Sequence, residues 1–259
     1  MSDLTVPAPE PELVTDSACA PRARSAAEHV GTARNRGSRW SRDALSAFLK
    51  RAFDALVASV LLLVLAPLLL ALVVLVRLDS PGPPFFRCDR VGYRGRPIRM
   101  LKFRKMRVGA SGLPLTTAQD ERFTRIGRWL TAYKLDELPQ LWHVATGEMS
   151  LVGPRPETRE FVDLYPREYH EEILRVRPGI IGLTQLAFAE ENRILRSEDP
   201  VGHYVESILP QKVGLDRLYA SRRGLWLDLR ILFWAVVTVI LRRPVAVNRS
   251  TAALSLRRR

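Results

Sequence analysis

Cysteine is nearly missing. Cys19 and Cys88 stand far apart with no His or Cys neighbour at metal-binding spacing, which excludes a disulfide framework and a zinc site and fits a reducing compartment. His143, His170 and His203 have no partner at ligand spacing and read as structural or surface residues. Acid is in short supply: 27 Asp and Glu face 40 Lys and Arg, a net charge of +13. Anionic partners are therefore expected, whether phosphorylated substrates, nucleic acid or an acidic membrane face. No nucleic-acid reading motif accompanies the charge, so no nucleic-acid partner is expected. No apolar run follows a basic cluster in the first thirty residues, which excludes a secretory signal peptide. Hydrophobic residues make up 47% of the 259, enough for one sizeable domain with appendages.

Residues 1–39 are rich in Pro, Ala, Ser, Gly and Arg and read as a disordered tail. A helix is expected from Trp40 or Ser41. Within the region 40–79, Ala55 to Val76 gives 22 residues with no charge and only Ser59 polar. That length can cross a bilayer core of about 30 Å. Pro67 near its middle removes a backbone bond, so two geometries are open: a kinked spanning helix, or a helix-break-helix that enters one leaflet and returns. Cations at both ends prevent the positive-inside rule from choosing.

Beyond the turn at Ser80-Pro-Gly-Pro-Pro84, Arg87 to Arg107 holds nine Arg or Lys and one acid, Asp89. Gly92 to Pro97 predicts a hairpin turn, and the following strand presents Lys102 and Arg104, which contact either anionic head groups or a diphosphate. Asp120 to Tyr133 predicts a short basic helix containing Arg128. Glu160 to Arg175 predicts a helix interrupted at Pro166. Arg177 to Gln185 predicts a turn and short strand, and Pro210 to Arg222 a further helix. Leu225 to Leu241 is apolar but interrupted by Asp228 and Arg230, and predicts a helix lying on the membrane surface. Residues 242–259 hold six arginines and no acid, and read as a flexible basic tail.

The densest chemistry lies in Leu135-Asp-Glu-Leu-Pro-Gln-Leu-Trp142 and Ser150-Leu-Val-Gly-Pro-Arg-Pro156. Pro139 is compatible with a first helical turn, which puts Asp136 and Glu137 at or just before a helix N-terminus. There a carboxylate stays ionised and phosphate or a phosphate-bound metal is attracted. One carboxylate can attack phosphorus while its neighbour holds Mg²⁺ or manages a proton; alternatively both hold the metal.

Together with Lys50-Arg-Ala-Phe-Asp54, Leu101-Lys-Phe-Arg104, Thr124-Arg-Ile-Gly127, Gly147-Glu-Met-Ser150, Arg177-Pro-Gly-Ile180 and Trp226-Leu-Asp-Leu-Arg230, these motifs resemble the bacterial sugar transferases, the monotopic phosphoglycosyl transferases. The resemblance covers about 190 residues, Lys50 to Leu241, and corresponds to a short form without the four N-terminal membrane helices of larger relatives.

It implies an α/β, mostly helical monotopic membrane protein with a re-entrant helix-break-helix, interfacial amphipathic helices and a small β-sheet, its catalytic domain spanning 80–241. It implies transfer of a sugar 1-phosphate from a UDP-sugar to polyprenol phosphate with release of UMP, initiating the assembly of a surface glycan for downstream glycosyltransferases. Asp136 would be the nucleophile and Glu137 its partner, both reaching Mg²⁺, with Lys102, Arg104, Arg128, Arg155 and Arg177 as substrate-binding cations. The place implied is the inner membrane, among its lipids, with the catalytic domain on the cytoplasmic face. An inactive membrane-anchored scaffold of the same family is the other reading. Three positions depart from the family pattern: Ala66 precedes Pro67 where Ser is common, Lys105 replaces a usual Ser or Thr, and Phe188-Ala-Glu-Glu-Asn192 replaces a Gly-Arg-Asn-like segment, which bears on donor recognition.

Overall fold

The computed structural model describes residues 30–110, 112, 115, 120–189, 199–241, 243 and 245–256, with side chains from residue 44 onward except 240. The chain divides into two units, Met1–Leu45 and Ser46–Arg259. The described part of the first is helical. The second holds every strand, core cluster and ion pair among the described residues.

Helix α1 runs from Val30 to Asp79. Residues 30–39, expected in the tail, belong to it, whereas 1–29, with Cys19, lie outside the described residues. The helix continues through Pro67 without the interruption expected there. Leu and Ala, strong helix formers, flank the proline, and one packing stripe continues on both sides of it. Ala58, Leu62, Leu65, Leu69, Leu72 and Val76 fall at alternating spacings of four and three and face the core. Leu56, Leu63, Leu70, Val74 and Leu78 on the other face are exposed. Among the described residues, Ala44–Asp79 is the one helix long and apolar enough to cross a membrane, with a mean hydropathy of 3.1 over an 18-residue stretch within it.

Both ends of the apolar stretch are tied to the same unit. Near its start, Lys50 pairs with Asp228 at 2.7 Å, Arg51 donates to the carbonyls of Val144 and Ala145, and Asp54 accepts from Ser150 Oγ at 2.6 Å. At its end, Arg104 donates to the carbonyls of Ser80, Pro81 and Val76, while Asp79 caps the next helix by accepting from Ile126 N at 3.0 Å. Lys50-Arg-Ala-Phe-Asp54 and Trp226-Leu-Asp-Leu-Arg230 therefore meet in one buried polar cluster.

Strands β1 (Phe85–Val91) and β2 (Pro97–Phe103) form the expected hairpin, paired from Phe85 with Phe103 to Val91 with Pro97. Arg94 in its turn has a left-handed φ of 56°. Helix α2 (Arg125–Ala132) is capped by the Thr124 hydroxyl. A 3-10 segment, Leu135–Gln140, leads directly into α3 (Leu141–Thr146). Strand β3 (Ser150–Val152) pairs in parallel with β4 (Gly179–Ile181). A side chain at Gly179 would put its Cβ 2.1 Å from Gly153 N, so glycine lets the two loops touch.

Pro166 divides α4 (Arg159–Val162) from α5 (Arg167–Leu174), as expected. Gln185, expected in a strand, lies in α6 (Leu183–Ala187). A short α7 (Pro200–His203), a π-helical turn Tyr204–Ile208, α8 (Leu209–Arg222) and α9 (Leu225–Ile240) follow. Residues 245–256, expected in a flexible tail, are folded. Strands β5 (Val245–Val247) and β6 (Leu254–Leu256) form a hairpin, turned by Asn248 Oδ1, which accepts from Ser250 and Thr251 N. Its alternation buries Val245 and Leu254 against the main core.

Among the described residues, the single small sheet expected is three separate two-stranded pairs. Three buried clusters join the elements. The largest links β3, α6, α8 and α9 through Leu151, Leu183, Leu215 and Ile231. A second gathers Phe161, Ile173, Tyr204 and Val213. The third, Leu72, Val76, Phe103 and Leu130, lies beneath the 3-10 segment, whose Leu135 and Leu138 pack on it.

Candidate active site

A 3-10 helix turns once every three residues, so Leu135 and Leu138 share one side and both face α1. The intervening Asp136 and Glu137 are consequently turned toward the cationic end of β2. Lys134 enters the segment with a left-handed φ of 57°, and the first turn opens on the two acids. The expected helix N-terminus is thus a 3-10 turn continuous with α3.

His143 of α3 fixes the distance to β2. Leu101 N donates to His143 Nε2 at 3.1 Å, which leaves the proton on Nδ1, facing Glu148. One residue on, Lys102 Nζ donates to Glu137 Oε1 at 2.9 Å. Arg155 Nη2 reaches the same oxygen at 3.7 Å. Burial would raise the Glu137 carboxyl, but Lys102 and Arg155 outweigh it and hold the group well below the usual carboxylate range.

Asp136 is 2% exposed. Its Oδ2 lies 3.5 Å from Lys105 Nζ, and its buried Oδ1 makes no hydrogen bond among the described residues. Buried polar oxygens are nearly always bonded, so this one is set aside for a partner of another kind. Burial pushes the Lys105 ammonium down, with Asp136 pulling the other way.

Arg155 is itself held from behind. Its Nε lies 4.0 Å from Glu157 Oε1, an oxygen that also accepts from Tyr204 OH at 3.2 Å and has Lys212 Nζ 3.8 Å away. Lys212 donates to the same phenol at 3.1 Å and stacks over its ring. The Arg155 backbone bonds Asp216, whose carboxylate also accepts from Thr184 Oγ1. Tyr204 begins the π-helical turn, a feature frequent at functional sites.

Of the five cations expected at the site, Lys102 and Arg155 are there. Arg104, two residues from Lys102, caps the end of α1. Arg177 donates from Nε to Gly147 O and stacks 5.0 Å over Tyr93. Arg128 is exposed on α2 and forms no ion pair with either acid among the described residues. Sequence reasoning missed Lys105, Glu157, Tyr204 and Lys212 as members of this network. Glu157 was legible as the residue following Pro156, and Lys105 as the departure after Lys-Phe-Arg; nothing local marked Tyr204 or Lys212. Of the divergent 188–192 segment, Phe188 and Ala189 are described, and Glu190 to Asn192 lie outside the described residues.

Magnesium takes hard oxygen ligands, keeps several waters and is commonly bound by one or two carboxylates together with substrate phosphates. No group of three His, Cys, Asp or Glu among the described residues forms a metal cage. The adjacent carboxylates of Asp136 and Glu137 fit the other arrangement, a metal shared with a phosphorylated ligand.

The family description "Bacterial sugar transferase" matches residues 45–242. The UDP-N-acetylgalactosamine-undecaprenyl-phosphate N-acetylgalactosaminephosphotransferase of Aeromonas hydrophila is 38% identical over 203 residues, 75% of this chain and 44% of that protein. The UDP-glucose:undecaprenyl-phosphate glucose-1-phosphate transferase of Caulobacter vibrioides is 38% identical over 195 residues, 74% of this chain and 69% of that protein. An exopolysaccharide production protein of Rhizobium leguminosarum bv. phaseoli is 38% identical over 204 residues, 75% of this chain and 96% of that protein. The chain therefore spans less than half the length of the first relative and nearly all of the last. With the family match extending over the apolar helix and every residue of the acid and cation cluster, the chain belongs to the bacterial sugar transferase family.

Proposed function

We propose that this chain transfers a sugar 1-phosphate from a UDP-sugar to undecaprenyl phosphate, at the cytoplasmic face of the inner membrane. The observation that carries the reading is Asp136: a buried carboxylate with one oxygen unbonded and the other 3.5 Å from Lys105 Nζ, next to Glu137, which Lys102 and Arg155 hold. Two relatives are named for this kind of transfer, from UDP-N-acetylgalactosamine and from UDP-glucose.

In this reading Asp136 Oδ1 attacks the sugar-linked phosphorus of the donor. An oxygen–phosphorus bond forms, the diphosphate bridge breaks, and its electron pair leaves with UMP. A phosphate oxygen of the acceptor then attacks the same phosphorus, and the carboxylate departs with its pair, leaving the polyprenyl-diphosphate sugar. An anionic nucleophile approaching a diphosphate is opposed by like charge, and Lys102 and Arg155 supply fixed positive charge where it accumulates. Glu137, held ionised by those cations, does not store a proton near neutral pH; it anchors them. Glu137, beside Asp136, would hold magnesium, which would supply further positive charge against the diphosphate.

We also read both ends of the apolar part of α1 as lying on one side of the membrane although the helix continues through Pro67, since both ends bind one domain, with α9 alongside it in the interface. Leu225, Trp226, Leu229 and Phe233 are exposed on α9, as an interfacial helix requires. UMP release from a panel of UDP-sugars, with the protein reconstituted in vesicles containing undecaprenyl phosphate, tests the reading. At least one donor should yield UMP with the wild type and none with Asp136→Ala. Equal release by both proteins would overturn it, and no release from any donor would favour an inactive scaffold.

A further inference from the structure

Among the described residues, Lys105 is the one cation of the site that touches Asp136 rather than Glu137, and its backbone is placed with unusual firmness. Thr124 N donates to Lys105 O at 3.1 Å, and Met106 bridges to Phe123. Gly127 lies so close that a Cβ there would stand 1.9 Å from Lys105 O. No side chain at 127 fits unless this backbone moves. The Lys105 side chain, three-quarters covered, passes 5.6 Å from the centre of the Phe123 ring and ends 3.5 Å from Asp136 Oδ2. Glu137, by contrast, is held by Lys102 and Arg155.

We propose that Lys105 is a positioning residue for the carboxylate as leaving group, holding Oδ2 and stabilising the carboxylate when it departs in the second transfer. The proposal rests on Asp136 being the nucleophile. While Asp136 carries the phosphosugar through Oδ1, Oδ2 is the acyl carbonyl oxygen and carries little charge. When the acceptor phosphate attacks phosphorus, the phosphorus–Oδ1 bond breaks and its electron pair returns to the carboxylate, shared with Oδ2 beside the ammonium. A cation there lowers the barrier to discharge of the intermediate. It gives no such help to loading, in which charge leaves the carboxylate. Lys105 thus acts unequally on the two half-reactions.

Quenched single turnovers with a donor radiolabelled in the sugar-linked phosphate separate the halves: loading without acceptor, then discharge by added undecaprenyl phosphate. Lys105→Met should load to the wild-type extent, which also shows that it is folded, and discharge at least about tenfold more slowly. Lys105→Arg should restore most of the discharge rate. Discharge by Lys105→Met at the wild-type rate would overturn the proposal. So would equal slowing of both halves without improvement in Lys105→Arg, the mark of a merely structural role. Label retained on Asp136→Asn, or no label on the wild type during turnover, would instead remove the nucleophile itself and the proposal with it.

Discussion

At the scale of single residues, the site is an exercise in orientation. Lys102 and Arg104 are two positions apart, the first near the end of β2 and the second just beyond it, and composition gives them equal title to a phosphate. The first reaches Glu137, while the second caps α1. The acid pair was legible because Leu135 and Leu138 frame it at a spacing of three. Which cation answers which acid was not legible, because that depends on the register of β2 against α3, set by a bond between Leu101 and His143. Asp216 was invisible for a similar reason, since it meets Arg155 and Thr184 only in the fold. Burial pushes its carboxyl up from 3.8 to about 7, opposed by the Thr184 hydroxyl. With the folded pKa above the unfolded one, the folded chain binds the extra proton between those values. Its contribution to stability therefore falls as pH rises from 3.8 to about 7 and is constant beyond. Comparing the unfolding midpoints of wild type and Asp216→Asn across this window isolates the group. The wild type should lose ground to the variant as pH rises, by a few kcal/mol in all. A difference independent of pH would show that Asp216 titrates alike in both states.

Among the elements, helices with clear apolar periodicity were legible to within a few residues. The β1–β2 hairpin and the division at Pro166 were equally plain. The parallel pairing of β3 with β4 was not, because three-residue strands carry too little pattern to name a distant partner. Residues 245–256 were misjudged because arginines dominate the composition, whereas the fold depends on the alternation of Val245-Ala-Val247 and Leu254-Ser-Leu256. The instructive element is α1. Length and hydropathy alone permit it to span a bilayer, but contacts from Lys50, Arg51 and Asp54 at one end, and from Asp79 at the other, bind one domain. Leu49→Cys and Pro83→Cys, each in a chain lacking Cys19 and Cys88, distinguish the geometries. A membrane-impermeant maleimide should label neither position in intact spheroplasts and both after permeabilisation. Labelling of one alone in intact spheroplasts would mean that the helix spans.

Taken whole, the molecule couples an apolar face to a charged cluster through the 3-10 segment, whose leucines rest on the apolar helix α1 while its acids face the cations. That coupling suits a reaction between a soluble nucleotide sugar and a lipid phosphate. On the proposed mechanism a covalent intermediate would let one site receive them in turn, and ping-pong kinetics are expected. The overall charge of +13 indicated anionic partners, but the cluster that matters is nearly balanced, with Lys102, Lys105, Arg155 and Lys212 against Asp136, Glu137 and Glu157. The most direct measurement is the intact mass of the purified protein after exposure to a UDP-sugar it accepts, with acceptor lipid absent. One phosphosugar should be added per chain, mapping to Asp136, with one UMP released for each. An unchanged mass, with UMP appearing only when undecaprenyl phosphate is supplied, would contradict attack by Asp136.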